Sequence, residues 1–214
     1  MSFRHAIFDL DGTLIDSLPG IAWSVEVALQ ERGFPPAAGD LRSRIGPPIR
    51  EILAKLTGLR EGRELDRLEG SFRGHYDSEG WRLTECQAGV PEILWDLLTG
   101  GAELWLVTNK PATATEQILR HLKLSGFFRE AACRDSRRPP FGSKAELLRD
   151  LVRRHGLNRA ECLMIGDTRE DREAARAAGM RCAIVPHGYG DRPGGLSYCT
   201  GWEEVSEICT GVPV

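Results

Sequence analysis

The chain of 214 residues has no apolar run near the ~18 residues that a bilayer-spanning helix needs. Its first apolar stretch is cut off by Asp9, too short for the core of a signal peptide, so a cytoplasmic location and no membrane partner are expected. There is no excess of positive charge: 28 Lys and Arg stand against 31 Asp and Glu, a net charge of −3, which argues against a nucleic-acid partner. There is no CxxC and no Cys/His pair at zinc spacing. Cys86, Cys133, Cys162, Cys182, Cys199 and Cys209 are widely separated and read as free, mostly buried thiols. Repeats and low-complexity tracts are absent, and nothing in the sequence speaks to oligomeric state.

Five short apolar runs are present: Arg4–Phe8, Glu103–Val107, Ala131–Cys133, Cys162–Ile165 and Cys182–Val185. They are continuous rather than alternating, the pattern of parallel strands buried on both faces. Helical patterns separate them at Pro91–Thr99, Thr113–Leu122, Lys144–His155 and Arg169–Ala178, the last two closed by Gly156 and Gly179. This alternation predicts an α/β fold with a doubly wound, Rossmann-like parallel sheet. Residues 16–84 break the rhythm with helical patterns alone, at Ile21–Arg32, Pro48–Leu56 and Arg63–His75. They predict an inserted helical lobe, with Trp23, Val27, Leu29, Ile52, Leu56, Leu65 and Leu68 as its core, on a core domain of residues 1–15 and 85–214.

The chemistry is expected at the strand ends. Asp9-Leu10-Asp11-Gly12-Thr13 follows the first strand, and the carboxyl edge of an open parallel sheet is where sites are built. Two carboxylates this close repel unless a cation lies between them, and a hard oxygen-seeking ion such as Mg²⁺ suits them. The second run ends in Thr108-Asn109-Lys110, which offers a hydroxyl, an amide and backbone N–H groups at a helix start, a phosphate-binding arrangement. The fourth ends in Gly166-Asp167, with Asp171 four residues on. Lys144 opens a helix, where its charge opposes the helix dipole and asks for a compensating anion.

Taken in order, these segments resemble the four motifs of the haloacid dehalogenase-like hydrolase superfamily: Asp9 to Thr13, then Thr108, then Lys144, then Gly166-Asp167 with Asp171. The helical insertion is similar to that family's type-one cap. The resemblance implies Mg²⁺-dependent phosphoryl transfer through an aspartyl-phosphate. It makes Asp9 the nucleophile and a metal ligand. Asp11 becomes the general acid/base, touching metal through its backbone carbonyl. Thr108 and Lys144 hold the phosphoryl oxygens, beside the substrate-binding Asn109 amide, Asp167 completes the metal site, and Asp171 acts behind it through water or Lys144. Dehalogenating relatives lack the second aspartate, so Asp11 points away from that chemistry. Phosphonate-cleaving relatives use a cap lysine, and Lys55, the one lysine of the insertion, lies mid-helix.

Asp9–Ser17, Arg44-Ile45-Gly46-Pro47-Pro48 and His187-Gly188-Tyr189-Gly190 look most like phosphoglycolate-phosphatase-type enzymes acting on a small-molecule phosphate ester. The usual Lys-Pro of the third motif is replaced by Lys144-Ala145. The same core also serves sugar phosphomutases and nucleotidases or pyrophosphatases, which stay open, as does a non-catalytic binding relative. Of the three arginines around the Gly-Pro-Pro turn, Arg44 is the expected grip for a second anionic group on the substrate, with Arg42 and Arg50 expected to be solvated. The basic loop Arg134–Gly142 is a composition shift with no assigned role.

Overall fold

Each strand of the main sheet sends alternate side chains to opposite faces, and both faces are apolar. The computed structural model describes residues 3–189 and 199–211. In chain order the elements are β1 (His5–Phe8), β2 (Ile15–Asp16), α1 (Leu18–Glu31), α2 (Ile49–Thr57), α3 (Arg63–Ser78), β3 (Glu85–Cys86), α4 (Val90–Thr99), β4 (Glu103–Thr108), α5 (Ala112–His121), β5 (Ala131–Cys133), α6 (Lys144–Arg154), β6 (Cys162–Gly166), α7 (Arg169–Ala178), β7 (Arg181–Ile184) and α8 (Trp202–Thr210). Five strands form one parallel sheet in the order β5-β4-β1-β6-β7.

Register explains the layers. Ile7 pairs with Trp105 and Met164, and this row packs under Leu147, Leu148 and Ala174 of α6 and α7. Ala6 and Phe8 pair with Leu104, Leu106, Leu163 and Ile165, and these rows pack against α4, α5 and α8 through Leu94, Ile118 and Val205. The fold is therefore the doubly wound α/β sheet expected from the buried runs. The order reverses at β1, whose neighbours are β4 on one side and β6 on the other, and this is the switch point where such sheets form clefts.

Helix ends follow local chemistry. Ser143 accepts from the Glu146 N–H at the start of α6, and Thr168 with Asp171 forms a capping box on α7. Gly179 ends α7 at φ 72°. All six cysteines are free; Cys133, Cys162, Cys199 and Cys209 are buried, while Cys86 and Cys182 are half-buried. Among the described residues no helix is long and apolar enough to cross a membrane.

Three features depart from expectation. The antiparallel pair β2–β3, joined through Ile15↔Cys86 and Asp16↔Glu85, carries the chain out to the inserted helices and back. Two-residue strands have no periodicity to read. Helix α8, with Val205, Ile208 and Cys209 against the core, also goes unread. Within the cap, the buried stripe of α1 is Ile21, Val25, Ala28 and Leu29, spaced i, i+4, i+7 and i+8. Trp23 and Val27 lie off that stripe: Trp23 is exposed and packs edge-on to His75, and Val27 is half-buried. Leu65, Leu68, Phe72 and Tyr76 of α3 complete the cap core.

Candidate active site

The carboxyl ends of β1 and β6 lie side by side, since Phe8 pairs with Ile165 and the Asp9 N–H donates to the Ile165 carbonyl at 2.8 Å. The first residue beyond each strand, Asp9 after β1 and Asp167 after β6, is thus delivered to one point. Both are buried. Two glycines make room. Gly12 turns at φ 85°, and a Cβ there would lie 2.3 Å from Asp167 Oδ2; a Cβ on Gly188 would lie 2.0 Å from the Asp167 Cβ. Asp167 is then fixed by Thr13 Oγ1, which donates to Oδ1 at 3.0 Å, and by the Tyr189 N–H, which donates to Oδ2 at 2.6 Å.

Lys144, first residue of α6, reaches into this pair. Its Nζ is 2.6 Å from Asp9 Oδ1 and 2.5 Å from Asp171 Oδ1. Burial works against its ammonium, yet Asp171 and Asp9 outweigh that and hold its pKa above the usual lysine value. Burial also pushes Asp9 well above the carboxylate range, with Lys144 pulling it back and Asp171 and Asp167 adding to the rise. Asp167 is pushed up to about 7, by burial first and Asp171 second, against the Tyr189 N–H and Lys144. Asp171 Oδ2 accepts from the N–H groups of Asp167 and Thr168 and from Thr168 Oγ1.

Asp11 points elsewhere. Its Oδ1 accepts from Ser17 Oγ at 2.5 Å and pairs with Lys110 Nζ at 2.9 Å. Lys110 is buried, its Nζ 4.8 Å from the centre of the Tyr76 ring, and Asp11 and Tyr76 raise its pKa against the opposing effect of burial. Thr108 is buried and its hydroxyl accepts from the Lys110 N–H. Asn109 donates to the Gly46 carbonyl at 3.2 Å and to both Glu170 oxygens at 3.0 Å, so its amide ties the core to the cap turn. Asp9, Asp11, Thr108, Asn109, Lys110 and Lys144 line a cavity of about 340 Å³ between sheet edge and cap.

Arg44 does not reach that cavity. It lies in the short 3-10 turn 42–44, half-buried, with its guanidinium beside Gly39. The turn directs the side chain away, and Arg50 on α2 lines the cavity instead. Arg42 also has a defined place: its Nη2 donates to the His187 and Gly188 carbonyls at 3.0 and 3.3 Å, and it stacks on the Tyr189 ring. Lys110, Ser17, Thr13, Tyr189 and Arg42 thus carry site contacts that the motif reading left unassigned. Thr13, Ser17, Lys110 and Tyr189 all stand within the motif segments of the sequence; Gly190 is outside the described residues.

Asp9, Asp167 and Asp171 each offer a carboxylate oxygen within 4.8 Å of the others. Three carboxylates and one ammonium leave two surplus negative charges when all are ionised, and Asp171 Oδ1 has the ion pair to Lys144 but no aligned hydrogen bond. A hard divalent cation fits this donor set. The Asp11 carboxylate is engaged away from the cluster, while Asp171, expected behind the site, stands in it.

Residues 6–185 match the haloacid dehalogenase-like hydrolase family, and the chain belongs to that family. It is 35% identical over 187 residues to tyrosine-protein kinase PtkA of Mycobacterium tuberculosis, covering 86% of this chain and 62% of that relative's length. The solved PtkA structure superposes with a TM-score of 0.78 at 32% identity, over 94% of this chain and 92% of that one. Phosphoglycolate phosphatase 1 of Pseudomonas aeruginosa is 34% identical over 194 residues, 87% of this chain and 70% of the relative. A haloacid dehalogenase-like family hydrolase from Streptococcus pneumoniae shares the fold at a TM-score of 0.79 and 24% identity, over 89% and 88% of the two chains.

Proposed function

We propose that this protein is a Mg²⁺-dependent phosphatase that hydrolyses a small-molecule phosphate monoester through a phosphorylated Asp9. The observation that carries this reading is the buried Lys144 held between Asp9 and Asp171 at the cavity floor. A carboxylate is a poor nucleophile toward an anionic ester, and a fixed ammonium beside it lowers that repulsion as charge develops on the phosphoryl oxygens. Asp9, Asp167 and the Asp11 backbone carbonyl would hold the cation, with Asp171 beside them. When bound it neutralises charge on nucleophile and phosphoryl group together.

Asp9 attacks phosphorus as the ester P–O bond breaks, and Asp11, which enters this step protonated, gives that proton to the leaving oxygen and is left as the carboxylate. Water then attacks the phosphorus of the phosphorylated Asp9 and passes a proton back to Asp11. Inorganic phosphate leaves and both carboxylates return to their starting states. Thr108, Asn109 and Lys144 hold the phosphoryl oxygens, and Lys110 with Ser17 fixes the Asp11 carboxylate between steps. Residues 1–15 and 85–214 form the catalytic core and residues 16–84 the lid that covers the substrate.

Phosphate release from a panel of metabolite phosphates, with Mg²⁺ and with EDTA, tests this. Release that depends on Mg²⁺ and disappears in Asp9→Asn supports it. Release unaffected by both changes rules it out.

A further inference from the structure

The cap wall of the cavity has an unexpected charge balance. Two guanidiniums line it, Arg50 and Arg73, and both are already paired with carboxylates. Arg50 contacts Glu61 and Asp66 at 2.6 and 2.8 Å and Glu69 at 2.8 Å. Arg73 grips the same Glu69 through Nε and Nη2 at 3.0 and 2.7 Å. Glu69 and Asp77 also line the cavity, so the four charges on that wall cancel, and Asp77 makes no ion pair among the described residues. Between these groups the wall is apolar, built by Ile21, Ile45, Ile49, Ile52 and Phe72.

We propose that this cavity selects esters whose leaving alcohol is bulky and uncharged, with an apolar or ring body, over esters that carry a second anion. The proposal rests on the phosphatase reading above and names the substrate class of that same site. A carboxylate on the leaving group would lose water, find the cap arginines already paired with Glu69, and face Asp77. A two-carbon acid would also leave the isoleucine wall uncovered. A ring body covers it, and about 340 Å³ lies at the lower end of the ~300–1,000 Å³ spanned by small-molecule clefts, room for the phosphoryl group and one compact body. The one lining guanidinium with no ion pair among the described residues is Arg134, on the core loop after β5. It is the residue on which a second anion would have to depend.

The test compares esters of primary alcohols, so that leaving-group reactivity is similar: benzyl phosphate, a nucleoside 5′-monophosphate and phosphoglycolate, with the full chain in Mg²⁺. The expected result is a kcat/KM at least about tenfold higher for the first two than for phosphoglycolate, since pocket contacts of even one methylene are worth about that factor. The first two arms tell a bare ring from a base on a sugar. Ile49→Ala is expected to lower kcat/KM for the ring esters by more than for phosphoglycolate. A phosphoglycolate rate equal to or above the others overturns the proposal, and its loss in Arg134→Ala would show where the anion is held. Hydrolysis of none of the three would instead refute the phosphatase reading itself, and this selectivity with it.

Discussion

Tyr189 ties Asp167 to the root of the cap: its backbone N–H donates to Asp167 Oδ2 at 2.6 Å, and its hydroxyl donates to Asp16 Oδ1 at 2.6 Å. That hydroxyl also accepts from the Ser17 and Leu18 N–H groups at 2.6 and 3.0 Å, where β2 passes into α1. Arg42 of the cap stacks on the same ring, so one residue touches carboxylate, hinge and lid. Tyr189→Phe keeps the ring and the backbone contact and strips the hydroxyl, leaving the buried Ser17 N–H without its acceptor. Stability to urea should fall by about 1–3 kcal/mol, the cost of an unsatisfied buried donor. A variant as stable as the wild type would mean that the hinge contacts contribute nothing.

Asp9→Asn is nearly isosteric and removes one negative charge from the buried cluster, while Lys144 keeps its contact with Asp171. The fold should survive, with a melting temperature within a few degrees of wild type. Phosphate release should drop by about three orders of magnitude or more, because an amide cannot take the phosphoryl group. Turnover within tenfold of wild type would remove Asp9 from the nucleophile's role.

The sheet and the carboxylates at its edge were legible because both depend on local pattern. Leu104 to Val107 and Leu163 to Ile165 are short continuous apolar runs set between helical patterns, which reads as buried parallel strands, and Asp9 and Asp167 sit directly at strand ends. Contacts made by long side chains across the fold carry no such pattern. Lys110 meets Asp11 across 99 residues, and Tyr189 meets Ser17 across 172, so neither partner is implied by spacing. Arg44 illustrates the converse. It stands next to the Gly-Pro-Pro turn in sequence, but its guanidinium lies beside Gly39 while Arg50, the second residue of α2, lines the cavity.

Metal binding should register as stability, because the three carboxylates converge only in the folded chain. A ligand that binds the native state alone stabilises it by RT ln(1 + [L]/Kd), about 2.7 kcal/mol at a hundredfold excess over Kd. Mg²⁺ should therefore raise the melting temperature of EDTA-treated protein, and Asp167→Asn should abolish most of the rise. A melting temperature indifferent to Mg²⁺ would contradict a cation site here.

His5 begins β1 almost fully buried, packed edge-on against Trp105, with Nδ1 3.2 Å from Glu103 Oε2. Burial lowers its pKa below 6.5 even though Glu103 works in the other direction. At this site the folded state thus binds fewer protons than the unfolded chain as pH falls through that value, and the contribution of His5 to stability drops. His5→Gln should remove that loss, so that on going from about pH 7 to about pH 5 the variant gains stability relative to the wild type. An unchanged slope in urea titrations would place the pH dependence elsewhere.

Lys144→Met separates the structural from the chemical work of the buried ammonium. Methionine keeps the length and apolar stem of the side chain but leaves Asp9 and Asp171 facing each other with no cation, Asp171 wholly buried and Asp9 nearly so. Removing one partner from a buried ion pair costs about 3–5 kcal/mol, so the metal-free variant should be strongly destabilised. A site with one more uncompensated negative charge should attract a divalent cation more strongly, so the rise in melting temperature on adding Mg²⁺ should exceed that of the wild type. Activity should nonetheless stay at least about a hundredfold down in saturating Mg²⁺, because the cation replaces the charge but not the donor that Lys144 offers the phosphoryl oxygens. If Mg²⁺ restored stability and turnover together, Lys144 would be a counter-ion for the cluster and no part of phosphoryl recognition.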